Sequence, residues 1–352
     1  MCRKSPPLRG EALDEADNRR KDRADQARPR PLPIEGFAEC GRTRCLHPSR
    51  CRAPHATETE LRSALDLHPR ATADFLDALV AIGLLSREQG FYQNTAISDA
   101  YLDARKPGYV GGFLIMHNLQ YGKWARLTEL LHVGSVTQDV RDEQKMHDDM
   151  QADPMRIRRF MAAMDGINQL VGPALAEKYD WSQLRTFADL GGARGNLSAE
   201  LVKAHPHLEA TVFDLPAVRE VFDEHMEKLD LAGKVTFQGG DFFTESLPTA
   251  DALIFGHVLH DWNPGLRKDL VRKAYEALPS GGYLLVYDPM IDDERQRNDY
   301  SLITSLHMML ISPGGSEYTA ADCRSLMIEA GFAETDTIPL TDVDTLVVGR
   351  KS

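Results

Sequence analysis

Phe187-Ala188-Asp189-Leu190-Gly191-Gly192-Ala193-Arg194-Gly195-Asn196 decides the fold. An apolar run ends in a turn holding three glycines, and a helical pattern begins directly after it. Glycine permits the tight turn and lets a ligand approach the backbone. The N-terminus of the next helix can face a ligand carboxylate. Working outward, short apolar runs at 186–190, 210–215, 234–237, 250–255 and 282–287 predict strands. Helical periodicity at 197–204, 216–228, 264–277 and 319–330 separates or follows them. Two last strands, 334–340 and 345–349, are expected to pair as a hairpin. The alternation implies an α/β, Rossmann-like domain: a mostly parallel sheet, helices on both faces and an antiparallel C-terminal hairpin.

The chemistry-bearing residues fall at the carboxyl ends of these strands, where open α/β sheets bind ligands. Asp214 ends the second strand, 23 residues after Gly191. A carboxylate there accepts both hydroxyl protons of a ribose. The spacing Asp189-x-Gly191-x-x-x-Gly195 differs from the dinucleotide fingerprint and shifts the expected cofactor to S-adenosylmethionine. Asp189, Gly191 and Asp214 are therefore candidate cofactor residues. Gly239-Gly240-Asp241-Phe242-Phe243 ends the third strand. Asp241 is placed to accept from an adenine amino group and Phe242 to stack on the ring. The plainer reading of the Gly191 loop and Asp214 is turn glycines with a helix-capping aspartate, and Phe242 serves core packing equally well. The fourth strand ends in Gly256-His257-Val258-Leu259-His260-Asp261-Trp262-Asn263. An imidazole with an ordinary pKa of about 6.5 suits a general base at neutral pH. A lone histidine is more often structural, but position and neighbours favour a catalytic His260. Asp261 or Asn263 is expected to cap the next helix.

Ahead of this half lies a different composition. Residues 1–56 hold 13 Lys and Arg against 8 Asp and Glu, four of the five cysteines and 7 of the 19 prolines. Such a segment buries too little apolar surface to offset its ordering entropy, so a disordered tail is expected. Cys40, Cys45, Cys51 and His55 have the donor types of a tetrahedral zinc site. Their spacing reads as coincidence in an Arg/Pro/Cys-rich tail, and no metal is assigned. An atypical start or a shifted frame would also produce such a segment. From Thr57 a capping box with Glu60 opens a helix whose apolar face is Leu61, Ala64 and Leu65. A second helix is expected at 73–85, then a hairpin around Gly90-Phe91-Tyr92. Residues 57–105 thus outline a winged helix, read as a dimerisation module. Residues 106–180 read as helices of a substrate or linker region, and 181–352 as the catalytic domain. Apolar runs starting at Gly111 and Phe160 carry Met116, His117 and Met164, which serve a core or a small-molecule pocket.

Composition removes other classes. The 352 residues are 42% hydrophobic and 27% charged, enough for a sizeable core and two or three domains. The net charge of −12 argues against a nucleic-acid partner. The chain has neither an apolar run long enough to span a membrane nor a secretory signal, so a cytoplasmic protein is expected.

The set DLGGARG, VFDLP, GGDFF, HVLHDW and PGGSEYT resembles the S-adenosylmethionine-dependent O-methyltransferases of the caffeic acid and acetylserotonin type, in their bacterial natural-product branch. The resemblance spans roughly residues 57–350. It omits 1–56, where the family has helices that intertwine two subunits. It implies methyl transfer from S-adenosylmethionine to a hydroxyl of a small aromatic acceptor, in secondary metabolism such as antibiotic biosynthesis, by a homodimer. It implies that His260 is the proton acceptor, flanked by Asp288, where plant relatives have Glu, and by Glu317. It places Gly191, Asp214, Asp241 and Phe242 at the cofactor. Met164 and Met308 match methionines of the acceptor slot, which Met116 and His117 also shape. Gly256 stands where plant relatives have a lysine that touches the cofactor. A phenol has a pKa of about 10, so His260 would take its proton as the oxygen attacks the methyl group. Asp288 or Glu317 would fix the imidazole tautomer, and no metal is required. Two alternatives remain: methylation at carbon or nitrogen, or no methylation, on the same fold; and a winged-helix regulator that binds S-adenosylmethionine.

Overall fold

The computed structural model describes residues 55–103, 105–106, 108–135, 154–312 and 314–352. Residues 1–54 of the expected tail, with Cys40, Cys45 and Cys51, lie outside the described residues, as does Pro313; Ala56, at the end of that expected tail, is instead buried in a strand.

The N-terminal unit comprises β1 (Ala56–Thr57), α1 (Glu58–Leu65), α2 (Pro69–Ala81), β2 (Leu85–Glu88), β3 (Phe91–Asn94) and α3 (Ala96–Tyr101). Its three strands pair antiparallel in the order β1-β3-β2. The capping box forms: the Thr57 amide donates to Glu60 Oε2 at 2.7 Å, and the Glu60 amide donates to Thr57 Oγ1 at 3.3 Å. Leu61, Leu65, Leu76, Leu79, Leu85 and Tyr92 close a small core beneath the sheet. The second helix differs from the expected 73–85. Pro69 occupies its first turn, and it stops at Ala81 ahead of Gly83, whose φ is +80°. Leu84 and Leu85 are buried, but Leu85 starts β2. A short apolar run does not distinguish a helix end from a strand start.

Helices α4 (Gly111–Trp124), α5 (Leu127–Val133) and α6 (Pro154–Lys178) lead to the large sheet. There β4 (Thr186–Leu190), α7 (Asn196–Ala204), β5 (Glu209–Asp214), α8 (Arg219–Lys228), β6 (Val235–Gly239), β7 (Ala252–Gly256), α9 (Pro264–Ala277) and β8 (Tyr283–Asp288) alternate. Then come α10 (Asp299–Ile311), α11 (Ala320–Ala330), β9 (Glu334–Pro339) and β10 (Thr345–Arg350). The strand order is β6-β5-β4-β7-β8-β10-β9. Strands β4 to β8 are parallel, and β10 is antiparallel to both its neighbours. Alternate residues feed two cores. Val212, Ile254 and Leu285 face one, while Phe213, Leu253, Phe255 and Leu284 face the other. Burial on both faces is why these strands read as continuous apolar runs.

Two elements depart from the sequence reading. The expected helix 216–228 opens with a 3-10 turn, Pro216–Val218, before α8. Helix α10 was not anticipated. Its inward side carries Ser301, Ser305 and His307 with Met308 and Leu310, while Tyr300 and Ile303 face out. Polar residues inside and apolar ones outside cancel the amphipathic signal. Among the described residues, no helix is long and apolar enough to cross a membrane.

Candidate active site

Strand order reverses between β4 and β7, and the crevice at their carboxyl ends is the expected ligand position. Gly191 lies there at φ +76°, its amide donating to the Phe213 carbonyl at 2.8 Å. A Cβ on Gly191 would sit 2.9 Å from Val258 Cγ2, so only bare backbone fits. Asp214 ends β5 and clasps the loop. Its Oδ2 accepts from the Ala193 amide at 2.8 Å, and its Oδ1 from the Leu215 amide at 2.7 Å. Both Asp214 oxygens thus hold loop backbone at the carboxyl end of β5, the position expected of a ribose acceptor. Asp189 is buried under the loop, where Ser198 Oγ donates to its Oδ2 at 3.0 Å. Burial, opposed by Ser198 and reinforced by the Asp214 charge, pushes its carboxyl up to about 7. Asp189 thus props the glycine turn from below.

At the end of β6, Asp241 shapes its own turn, accepting from the Phe243 amide at 2.8 Å and Thr244 Oγ1 at 3.2 Å. Phe242 is half-buried, edge-on to Phe243 and Trp262, and one ring carbon lies 3.8 Å from the Cβ position of Gly191. Glycine turn, ribose-type acid and aromatic edge therefore converge. Bare backbone, a diol acceptor and a ring edge are the chemistry that fits S-adenosylmethionine. Gly256 cannot hold the lysine of plant relatives, because a Cβ there would lie 2.1 Å from the Tyr287 ring.

His260 sits in a 3-10 turn, Leu259–Asp261, just past β7. Its Nδ1 meets Glu317 Oε1 at 2.7 Å, whereas Asp288 Oδ1 is 3.7 Å away, too far for a hydrogen bond. Glu317 therefore fixes the tautomer, and Nε2 is left for a ligand. Asp288 instead accepts from the buried Tyr318 hydroxyl. Asp288 Oδ1 and Glu317 Oε2 have no hydrogen-bond partner among the described residues. Burial depresses the His260 pKa, but the Glu317 and Asp288 charges overcome it and raise the imidazole to about 10. Burial also raises Asp288, against the pull of His260. Asn263, not Asp261, caps α9, its Oδ1 accepting from the Leu266 amide at 3.0 Å. Asp261 is half-buried beside His260; desolvation raises its carboxyl pKa against the pull of the imidazole.

Three supports of this cluster were missed in the sequence. Arg267 is buried and ties the His260 turn to the Glu317 loop: Nε donates to the Leu259 carbonyl at 2.9 Å, and one terminal nitrogen donates to Ser316. Its guanidinium lies 4.6 Å from the Tyr318 ring centre. His257 stacks on His260 with ring centres 5.9 Å apart, and its Nε2 meets Asp344 Oδ1 at 2.8 Å. An arginine on a helix and an aspartate in a distant turn carry no local signal of these roles.

The residues expected to shape an acceptor slot occupy α4, α6 and α10. Met116, His117 and Met164 are half-buried and Met308 is buried. His117 stacks on His307, the neighbour of Met308, at 5.1 Å. His307 also went unnoticed in the sequence, hidden in the inverted pattern of α10.

This fold matches known proteins. Residues 141–333 match the family model of the O-methyltransferase domain. The tetracenomycin polyketide synthesis 8-O-methyl transferase TcmO of Streptomyces glaucescens is 47% identical over 294 residues, covering 83% of this chain and 86% of that protein. The N,N-dimethyltransferase OxyT of Streptomyces rimosus is 38% identical over 280 residues, covering 79% and 81%. An O-methyltransferase from neocarzinostatin biosynthesis, solved with S-adenosylmethionine and 2-hydroxy-5-methyl naphthoic acid, superposes with a TM-score of 0.72 at 25% identity, over 90% of this chain and 95% of that one. The chain belongs to the S-adenosylmethionine-dependent O-methyltransferase family, with the Rossmann-like fold and cofactor of that family.

Proposed function

We propose that this enzyme methylates a phenolic hydroxyl of a fused-ring aromatic acceptor of the polyketide type, with His260 as proton acceptor. The observation that carries the reading is the buried His260–Glu317 hydrogen bond at the mouth of the cofactor crevice. The name of TcmO supports the acceptor class. Bound S-adenosylmethionine supplies an electrophilic methyl group. Gly191, Asp214, Asp241 and Phe242 hold that cofactor. Glu317 holds His260 Nδ1, so Nε2 meets the acceptor hydroxyl and takes its proton. The carboxylates stabilise the imidazolium that results, and alignment of the reacting oxygen supplies much of the remaining rate.

The raised imidazole sets a direction for pH dependence. Only neutral His260 accepts a proton, so kcat/KM for a phenol is expected to climb with pH above the ordinary histidine range. Glu317→Gln removes the largest attraction for the imidazolium. The acid limb of its pH–rate profile should move to lower pH, with kcat reduced because the tautomer is less well held. A limb that stays in place would reject the assignment of Glu317.

We also propose that the enzyme works as a homodimer through its N-terminal helices, where Ile97, Leu131 and Val133 stand exposed. Light scattering should then give twice the chain mass of 39.3 kDa, and a monomer mass would refute it.

A further inference from the structure

The wall formed by α4 and α10 is a ladder of flat rings. Trp124 stacks on His307 with centres 5.8 Å apart, His307 stacks on His117 at 5.1 Å, and Phe113 meets His117 edge-on at 4.1 Å. Both faces of the His307 ring are covered, so only its edges remain for polar contact. His117 Nδ1 lies 3.2 Å from the Phe113 carbonyl, which can only accept. That nitrogen therefore carries the proton, and Nε2 keeps a lone pair. His307 Nε2 lies 2.8 Å from Gln120 Oε1, which makes it the protonated nitrogen and leaves Nδ1 as an acceptor. His307 Nδ1 is buried and has no partner among the described residues.

Burial favours the neutral form of both imidazoles. Burial lowers His117, and burial together with the His117, Lys123 and His260 charges lowers His307 to about 4. Two stacked imidazolium rings would repel, so the neutral pair is also the geometry-compatible one. The pair thus offers acceptors and no free donor toward a ligand. Helix α10 also reaches the His260 cluster: the Glu317 amide donates to Ser305 Oγ, two residues before His307, at 3.2 Å, and Glu317 in turn meets His260.

We propose that His307, braced by His117 and Trp124, is a specificity residue that accepts a hydrogen bond from a second hydroxyl of the aromatic acceptor while the first hydroxyl reacts at His260. This rests on the fused-ring phenol reading above. It sharpens that reading, because the lone pair selects a hydroxyl and discriminates against a carbonyl or a methyl ether at that position. An acceptor left unpaired in a buried site is costly, which gives the selection its force.

The test uses the full-length protein saturated with S-adenosylhomocysteine, with binding followed by calorimetry. The probes are 1-naphthol, the dihydroxynaphthalenes that carry their second hydroxyl at different positions, and the matching methoxynaphthols. At least one diol should bind about tenfold more tightly than both 1-naphthol and its own methyl ether. His307→Phe keeps a stacked ring but no lone pair, and should erase that advantage, so that the diol, its methyl ether and 1-naphthol bind the variant with like affinity. His307→Asn returns an acceptor near the Nδ1 position and should restore part of it. An equal advantage in His307→Phe, or no diol preference in the wild type, would overturn the proposal. Failure of every naphthalene to bind, with a single-ring phenol bound instead, would overturn the fused-ring reading along with it.

Discussion

His260→Ala is expected to lower kcat by about 10²–10⁴-fold, the usual contribution of a positioned base. The affinity for S-adenosylhomocysteine should be unchanged, because Gly191, Asp214 and Phe242 are untouched. The size of the effect follows from chemistry. At neutral pH a phenol is almost wholly protonated, and the protonated oxygen is a poor nucleophile. His260 is the imidazole hydrogen-bonded through Nδ1 to the buried Glu317 carboxylate beside the crevice. Raising the pH should recover part of the lost rate by ionising the phenol in solution. Rates and calorimetric affinities measured on the same preparations separate the two effects. A variant with wild-type kcat would remove His260 from the reaction.

Arg267→Met should have the largest effect on stability, about 3 kcal/mol. Arg267 is only 4% exposed, yet it hydrogen-bonds to the Leu259 carbonyl and Ser316 rather than to a carboxylate. Removing the guanidinium leaves these buried acceptors unpaired, and each unsatisfied group costs about 1–3 kcal/mol. The same change unties the His260 turn from the Glu317 loop. A fall in kcat of more than about tenfold should therefore accompany the loss of stability, since small misplacements of catalytic groups are expensive. Arg267→Lys keeps the charge and one donor direction but not the fork, so it should fall between the two. Denaturant unfolding and initial rates on the same variants provide the check. Reduced stability with unaltered kcat would mean that Arg267 holds the fold and not the site.

The strands of the large sheet were legible in sequence because both their faces are buried, so each reads as an unbroken apolar run. Their tips were legible for a chemical reason, since glycines and acids interrupt those runs at Gly191, Asp214 and Asp241. The pairing of His260 with Glu317 spans 57 residues and could be reached only through resemblance, with the choice between Asp288 and Glu317 left open. One side chain length settles it: Asp288 falls short at 3.7 Å and turns to Tyr318. The His257–Asp344 pair spans 87 residues with no motif to announce it. Helix α10 and its His307 stayed hidden because serines and a histidine face inward there. The early end of α2 was missed because Leu84 and Leu85 continue its apolar stripe while belonging to the sheet that follows.

The central claim is methyl transfer to a phenolic oxygen. The most direct measurement incubates the enzyme with S-adenosylmethionine carrying a carbon-13 methyl group and a panel of hydroxylated fused-ring aromatics, and reads the product by NMR. The wild type should form a labelled aryl methyl ether that is absent with His260→Ala. A label on ring carbon or nitrogen, or an ether formed equally by both proteins, would contradict it.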